Sequence, residues 1–408
     1  MADDKKEGSK KEKSRAAKWV LALFVWGFSA YFLICLSAFI PATIEAHNAE
    51  ETWREWQKGY IDFLETSYAA DSDFSKVNEE SFITGATVAD VYSARLNEIR
   101  YLASHNSYKV GLTQGTEYLY HGPFAAFMGK QFDYVYDTIT EQLNMGIRSI
   151  ELDANKVATA DGGFEIRCLH SSLLESKSTA VDFKKGLHEI DMWLERNPDS
   201  LPLIVLVEPK GGKKFDEEAF DALDGMLFDV FGDKLLTPKK LLGEYDNFDD
   251  FRADNAYPTV ETLKGKIIFL LHEKASLDTY IARDPDMQKS AMNIALEYKT
   301  VMKKGKKYSK YAFTVIINRA SKHKDRIEKA INEGNFMVRT RLDKYAVVKE
   351  NQYKDGIASG ANILSTDYVP YVGTRLYEYP GGEKSTETYF ALLGNEYGKT
   401  VTLRGVDL

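Results

Sequence analysis

From Trp19 to Ile40 the chain carries no charged residue for 22 positions. No other feature narrows the choice of fold as much. As a helix the run is about 33 Å long, enough to cross a hydrocarbon core of ~30 Å. Its flanks set a direction. Residues 1–18 hold seven basic side chains against four acids, while Glu45, Glu50, Glu51 and Glu55 follow the run with only Arg54 opposed. The positive-inside rule then leaves the N-terminus in the cytoplasm and the rest of the chain outside. Pro41 is expected to end this signal-anchor helix. The rival is a signal peptide cleaved near Ala42 to Ala46, which would give a secreted protein. It fits less well, because the apolar run exceeds the usual span of about 7–15 residues and the polar leader is long.

The leader's net charge is +3, and the whole chain of 408 residues is at −8, so the part after residue 18 is at −11. That acidic excess argues against a nucleic-acid partner. Hydrophobic residues at 44% and charged residues at 28% are ordinary for a globular protein, which excludes bulk disorder. The two cysteines are Cys35, inside the apolar run, and Cys168. One cysteine outside the run excludes a disulfide scaffold and a cysteine-rich zinc module.

Residues 49–68 place Trp53, Trp56, Tyr60, Phe63, Leu64 and Tyr68 at helical spacing, a stripe expected to pack on the main domain. Eight short apolar runs bounded by turn residues follow: 99–103, 148–153, 164–169, 203–207, 266–271, 313–317, 336–341 and 362–366. Helical stripes lie between several of them. One runs from Phe183 to Leu194 and stops at Asn197-Pro198, and another from Phe220 to Phe231 stops at Gly232. Eight strands alternating with helices predict an α/β fold, a distorted TIM-type (β/α)8 barrel preceded by a transmembrane helix. About ten residues separate the second and third runs, short for a parallel crossover. The expected divisions are a basic tail at 1–18, the anchor at 19–41, a helical juxtamembrane segment at 42–94, the barrel at 95–370 and an extension at 371–408.

In such a barrel the chemistry sits at the C-terminal ends of the strands. The first run ends in Ser104-His105-Asn106-Ser107, the second in Glu151-Leu152-Asp153, the third in His170 and the fourth in Glu208-Pro209-Lys210. Arg339 and Arg341 share one face of the seventh, and Asp367 follows the eighth. One strand-end histidine is ordinarily a hydrogen-bonded surface residue, but two at matching ends call for another account. Glu151 and Asp153 fall on one strand face by the period of two, and acids at close range need a counter-charge. Glu151, Asp153, Glu208 and the amide oxygen of Asn106 make an all-oxygen ligand set suited to Ca²⁺ or Mg²⁺, not zinc. Two histidines beside such a cation, with Lys210, Arg339 and Arg341 near, are what acid–base cleavage of a phosphodiester requires. His272 also follows a strand and is read as a structural residue of the barrel rim.

These residues resemble a family. Ser104-His105-Asn106-Ser107-Tyr108, the stretch from Glu141 to Asp153, Leu169-His170 and Val207-Glu208 are similar in order and character to the catalytic X region of phosphoinositide-specific phospholipase C. They are most similar to the small, Ca²⁺-dependent microbial type. The resemblance covers about residues 95–370. It implies that His105 and His170 are the catalytic histidines, that Asn106, Glu151, Asp153 and Glu208 ligate Ca²⁺, and that the substrate is a membrane phospholipid bearing inositol. Ca²⁺ is favoured over Mg²⁺. Lys210, Arg339 and Arg341 are candidates for phosphate or head-group contacts, and Tyr368 for stacking on the ring. An arginine-for-metal variant of the family is disfavoured by Asp153. Two alternatives carry different outcomes: a glycerophosphodiester phosphodiesterase or sphingomyelinase-D-like enzyme, whose motif would open His-Arg-Gly where this chain has His105-Asn106-Ser107, and a catalytically silent lipid-binding protein, which would have lost one of the six positions.

Overall fold

The computed structural model describes residues 2–121, 132, 134–171, 174–212, 215–273, 276–304, 306–343, 349–382, 384 and 398–406. It opens with one long helix, α1 (Ala2–Ala70). The apolar stretch is long enough to cross a membrane by length and composition, and none of it is buried by the rest of the protein. Pro41 does not end the helix as expected. Proline removes one backbone bond, but the turns around it are held otherwise. The hydroxyls of Ser37 and Thr43 donate to the carbonyls of Ile34 and Ile40 at 2.7 and 2.8 Å, and Ala42 and Ala46 are fully buried on the next elements. The stripe at 49–68 is therefore the second half of the same helix. Trp53, Trp56, Tyr60 and Leu64 are buried there with Val110, Leu169, Val181 and Tyr379.

Eight parallel strands close a barrel. In chain order the strands are β1 (Ile99–Ser104), β2 (Ser149–Ala158), β3 (Phe164–Arg167), β4 (Leu203–Pro209), β5 (Ile267–His272), β6 (Asn293–Glu297), β7 (Thr314–Ile316), β8 (Met337–Arg341), β9 (Ile363–Thr366) and β10 (Val401–Leu403). The barrel runs β1, β2, β4 to β9, and closes from β9 onto β1. Its weak seam is β1–β2, joined at Ala103 and Ser149. The expected third strand is not a barrel strand: β3 pairs antiparallel with the end of β2, as a hairpin arm. That explains the short spacing, since antiparallel neighbours need no crossover. The barrel strand that takes its place in the count of eight is β6, Asn-Ile-Ala-Leu-Glu. Its Ala, Leu and Glu are helix formers, and placement between β5 and β7 overrides that preference. The tail beyond 371 is not all appendage, because β10 lies antiparallel to β1.

Further helices used below are α2 (Gln114–His121), α3 (Ile139–Asn144), α4 (Phe183–Arg196) and α5 (Glu217–Phe231). The last two are the expected stripes. Asp182 caps α4 and Asp216 caps α5, each side chain accepting from a backbone N–H of the first turn. α5 stops at Gly232, where φ is 47°, a left-handed value that glycine adopts without cost.

Candidate active site

Parallel pairing sets Asp153 beside Glu208 in register, and the period of two turns Glu151 the same way as Asp153. One oxygen from each of the three carboxylates lies within 4.8 Å of the others. Their electrostatics are incomplete. Tyr108 donates its hydroxyl to Asp153 Oδ2 (2.6 Å), and Lys210 Nζ lies 3.0 Å from the same oxygen and 2.6 Å from Glu208 Oε1. Asp153 Oδ1 is buried with no hydrogen-bond partner. Burial, and then Glu208 and Glu151, push the Asp153 carboxyl up to about 6 against the pull of Lys210. A buried oxygen without a partner, in a cluster of hard oxygen donors short of positive charge, fits a divalent cation. Asn106, just past β1, adopts φ 52°, a conformation asparagine tolerates better than most residues. It donates Nδ2 to Tyr134 Oη (3.0 Å).

The two histidines are each held by a buried acid. His105 Nδ1 donates to Asp367 Oδ1 (2.8 Å), and Arg341 Nη1 donates to Nε2 (3.1 Å). A carboxylate only accepts and a guanidinium only donates, so the ring is neutral with its proton on Nδ1. Burial first, and the Arg341 charge second, push this imidazole well below its ordinary value. His170 follows the hairpin arm β3 and reaches the site from a loop, with Nδ1 3.0 Å from Glu175 Oε2. Lys109 Nζ donates to the same oxygen at 2.6 Å. Burial works to raise the Glu175 carboxyl, but Lys109 and His170 outweigh it and hold it at about 2. Tyr134 joins the two halves. Its hydroxyl is 3.3 Å from His105 Nδ1, and its ring stands 5.2 Å from Lys109 Nζ.

Among the other expected residues, Arg339 donates Nη2 to Glu151 and to Ser365 Oγ. Arg341 also pairs with Asp343 and Asp367, at 2.8 Å each. Lys210, Arg339 and Arg341 thus each counter a carboxylate at the barrel mouth. Tyr368 is buried, with 7% of its surface exposed. His272 Nδ1 donates to the Glu273 carbonyl (3.0 Å), and its Nε2 lies 4.0 Å from Glu208 Oε2. Glu175, Lys109 and Tyr134 were not singled out from the sequence. Lys109, the one charged residue between His105 and Glu117, was the available signal.

The family model for Ca²⁺-dependent phosphoinositide phospholipase C matches residues 94–165 and 155–382. A comparison with curated proteins finds no match. Among solved structures, the apo form of a calcium-dependent phosphoinositol-specific phospholipase C from a Pseudomonas species is similar, with a TM-score of 0.53 at 17% identity. The match covers 71% of this chain and 94% of that one. A Ca²⁺-dependent phosphatidylinositol-specific phospholipase C from Streptomyces antibioticus gives 0.50 at 17% identity, covering 76% and 99%. At such identity these structures speak for the fold.

Proposed function

The chain belongs to the Ca²⁺-dependent phosphoinositide phospholipase C family, and from that premise we propose that it is a membrane-anchored phosphodiesterase of the small microbial type, cleaving phosphatidylinositol or a related inositol lipid. The observation that carries this reading is the convergence on one barrel end of three carboxylates within 4.8 Å and two histidines, each backed by a buried acid. Glu151, Asp153, Glu208 and the Asn106 amide would hold Ca²⁺. When bound there, the ion supplies acidity to a coordinated hydroxyl and charge to offset a phosphate.

The residues themselves divide the work. His105, neutral and with Nε2 free of a proton, takes the proton of the inositol 2-hydroxyl as that oxygen attacks phosphorus. Asp367 stabilises the imidazolium that results, and Arg341, which now faces Nε2, turns to the phosphate oxygens. His170, whose Nδ1 lies 3.0 Å from Glu175, carries a proton on Nε2 and gives it to the oxygen of the departing diacylglycerol. The product is a cyclic inositol phosphate that water can open by the same groups in reverse roles. Arg339 and Lys210 keep the acids from repelling one another and are the candidates for head-group contacts. The N-terminus would be cytoplasmic and the barrel extracytoplasmic, with α1 as the anchor.

The test is incubation of the full chain in detergent with a panel of phospholipids, with and without Ca²⁺, identifying products by mass. Diacylglycerol and a cyclic inositol phosphate are expected from phosphatidylinositol, and none in excess chelator. Phosphatidic acid, or cleavage of deacylated glycerophosphodiesters alone, would refute the substrate. His105→Ala and His170→Ala should each slow turnover by about 10²–10⁴-fold at unchanged Ca²⁺ affinity, whereas Asp153→Asn should weaken the metal and recover partly at high Ca²⁺.

A further inference from the structure

His170 sits on a loop, and the contacts that hold this loop lead back to α1. Glu175, buried, is the junction: it meets His170 Nδ1 (3.0 Å) and Lys109 Nζ (2.6 Å), and Tyr120 on α2 donates its hydroxyl to Oε1 at 3.3 Å. The neighbour of Glu175, Ser176, donates Oγ to the carbonyl of Ala46 on α1. At the end of the loop Gln57 on α1 clamps the backbone of Asp182, donating Nε2 to its carbonyl (3.1 Å) and accepting from its N–H (2.8 Å). Before the loop, Arg167 pairs with Glu50 of α1.

α2 is seated on α1 as well. The Glu45 carboxylate accepts from the backbone N–H groups of Gln114 (3.1 Å) and Gly115 (2.7 Å), satisfying donors that a helix start leaves open. Thr116 then donates to the Leu174 carbonyl at 2.9 Å, next to Glu175. The approach is possible because residue 115 is glycine. A Cβ there would lie 2.6 Å from Glu45 Oε2 and 2.9 Å from the Ala42 Cα, closer than a methyl group can come to backbone.

We propose that the stretch of α1 from Ala42 to Gln57 is a positioning element of the active site: by seating α2 and the loop around Glu175, it sets the position and orientation of His170. The inference rests on the role given to His170 above. On this view the anchor is not a tether from which a finished enzyme hangs. The first contacts, at Ala42 and Glu45, fall about 3 and about 7.5 Å along the helix from the last residue of the apolar run, at 1.5 Å per residue. The piece of chain that crosses the membrane therefore continues into the piece that completes the site.

The experiment uses the full chain in detergent micelles and a water-soluble substrate, inositol 1,2-cyclic phosphate, so that lipid access plays no part. Gly115→Ala displaces α2 without altering a polar group. Glu45→Ala removes the cap, and Glu45→Gln keeps an acceptor oxygen. Glu175→Gln breaks the last link. Gly115→Ala and Glu45→Ala should lower kcat by about 10–100-fold, the cost of a small misplacement, with KM and Ca²⁺ affinity within about twofold and Glu45→Gln restoring most of the rate. Glu175→Gln should cost more. The 15N spectrum of the His170 ring reads its surroundings without turnover: one set of ring-nitrogen shifts in the parent, and displaced or doubled shifts in Gly115→Ala, Glu45→Ala and Glu175→Gln. Parent-like kcat and parent-like ring spectra in folded Gly115→Ala and Glu45→Ala would overturn the proposal and leave α1 an anchor only. If even the parent cleaves no inositol phosphodiester, the functional reading fails, and the ring spectra still decide whether α1 positions His170.

Discussion

Trp26 and Trp53 stand on one helix in opposite surroundings: 76% of the first is exposed and 1% of the second. The two halves of α1 are both rich in aromatic residues, and composition alone does not separate them. What separates them is charge pattern. From Trp19 to Ile40 every position is uncharged, so no face is marked for water. After it, Glu45, Glu50, Arg54 and Gln57 interleave with the aromatics, and each finds a partner on the barrel domain. A helix apolar all round needs an apolar solvent, while an amphipathic one needs a protein surface. The same backbone serves both, and Pro41 marks the change without breaking it.

The largest test of this contrast is to remove the halves in turn. A chain starting at residue 41 loses only the uncovered half. It should become soluble without detergent and keep its rate on the soluble cyclic phosphate within about threefold, since the contacts that place His170 remain. A chain starting at residue 71 also uncovers Val110, Leu169, Val181 and Tyr379. It should aggregate or lose at least about 10²-fold in rate. Equal activity of the two truncated chains, measured side by side after gel filtration, would erase the distinction.

Single tryptophans sharpen it. Trp53 packs against Trp56 and Tyr379, with ring centroids at 5.1 and 5.0 Å. Trp53→Ala should destabilise the protein by about 3–5 kcal/mol, as truncation of a buried aromatic does. Trp26→Ala should stay within about 0.5 kcal/mol in micelles. Denaturant midpoints of the two variants in one detergent decide it, and comparable losses at both positions would mean that the protein, not lipid, covers the first half.

How much of this could be read beforehand follows the range of the forces involved. The apolar run and the aromatic stripe were legible, because both depend on spacing along one helix. The acids Glu151, Asp153 and Glu208 were legible, because strand periodicity and barrel geometry fix where strand ends point. The swap of β3 for β6 was not: an arm and a barrel strand look alike as short apolar runs, and β6 looks locally like a helix. Nor was the support of the histidines. Glu175 meets Lys109 across 66 positions, and Asp367, visible only as a strand-end acid, meets His105 across 262. Nothing local announces such pairs.

The smallest effect expected is also the most selective, because among the described residues it is the second half of the helix that meets the buried carboxyl of Glu189. Tyr60 Oη lies 3.2 Å from Glu189 Oε1 on α4, and the same oxygen accepts from the Thr140 N–H of α3 at 2.7 Å. Glu189 Oε2 has no partner. Burial, with Glu141 adding to it and the Thr140 and Tyr60 bonds opposing, raises this carboxyl from an ordinary 4.5 to about 7. The unfolded chain therefore gives up the proton near 4.5, while the folded one keeps it until about 7. Between those values the folded state binds more protons, so stability falls as pH rises through the window. Glu189→Gln holds the neutral form permanently. The variant should match the parent at pH 4 and exceed it at pH 8 by roughly 1–3 kcal/mol, since each pH unit of that window is worth about 1.4 kcal/mol. Trp53 and Trp56 emission during unfolding in micelles reads the docked half directly. A parent-minus-variant difference that stays flat from pH 4 to 8 would show that Glu189 is not carrying this cost. A difference that persists when α1 is released first, with the rest still folded, would move the cost away from the docked helix.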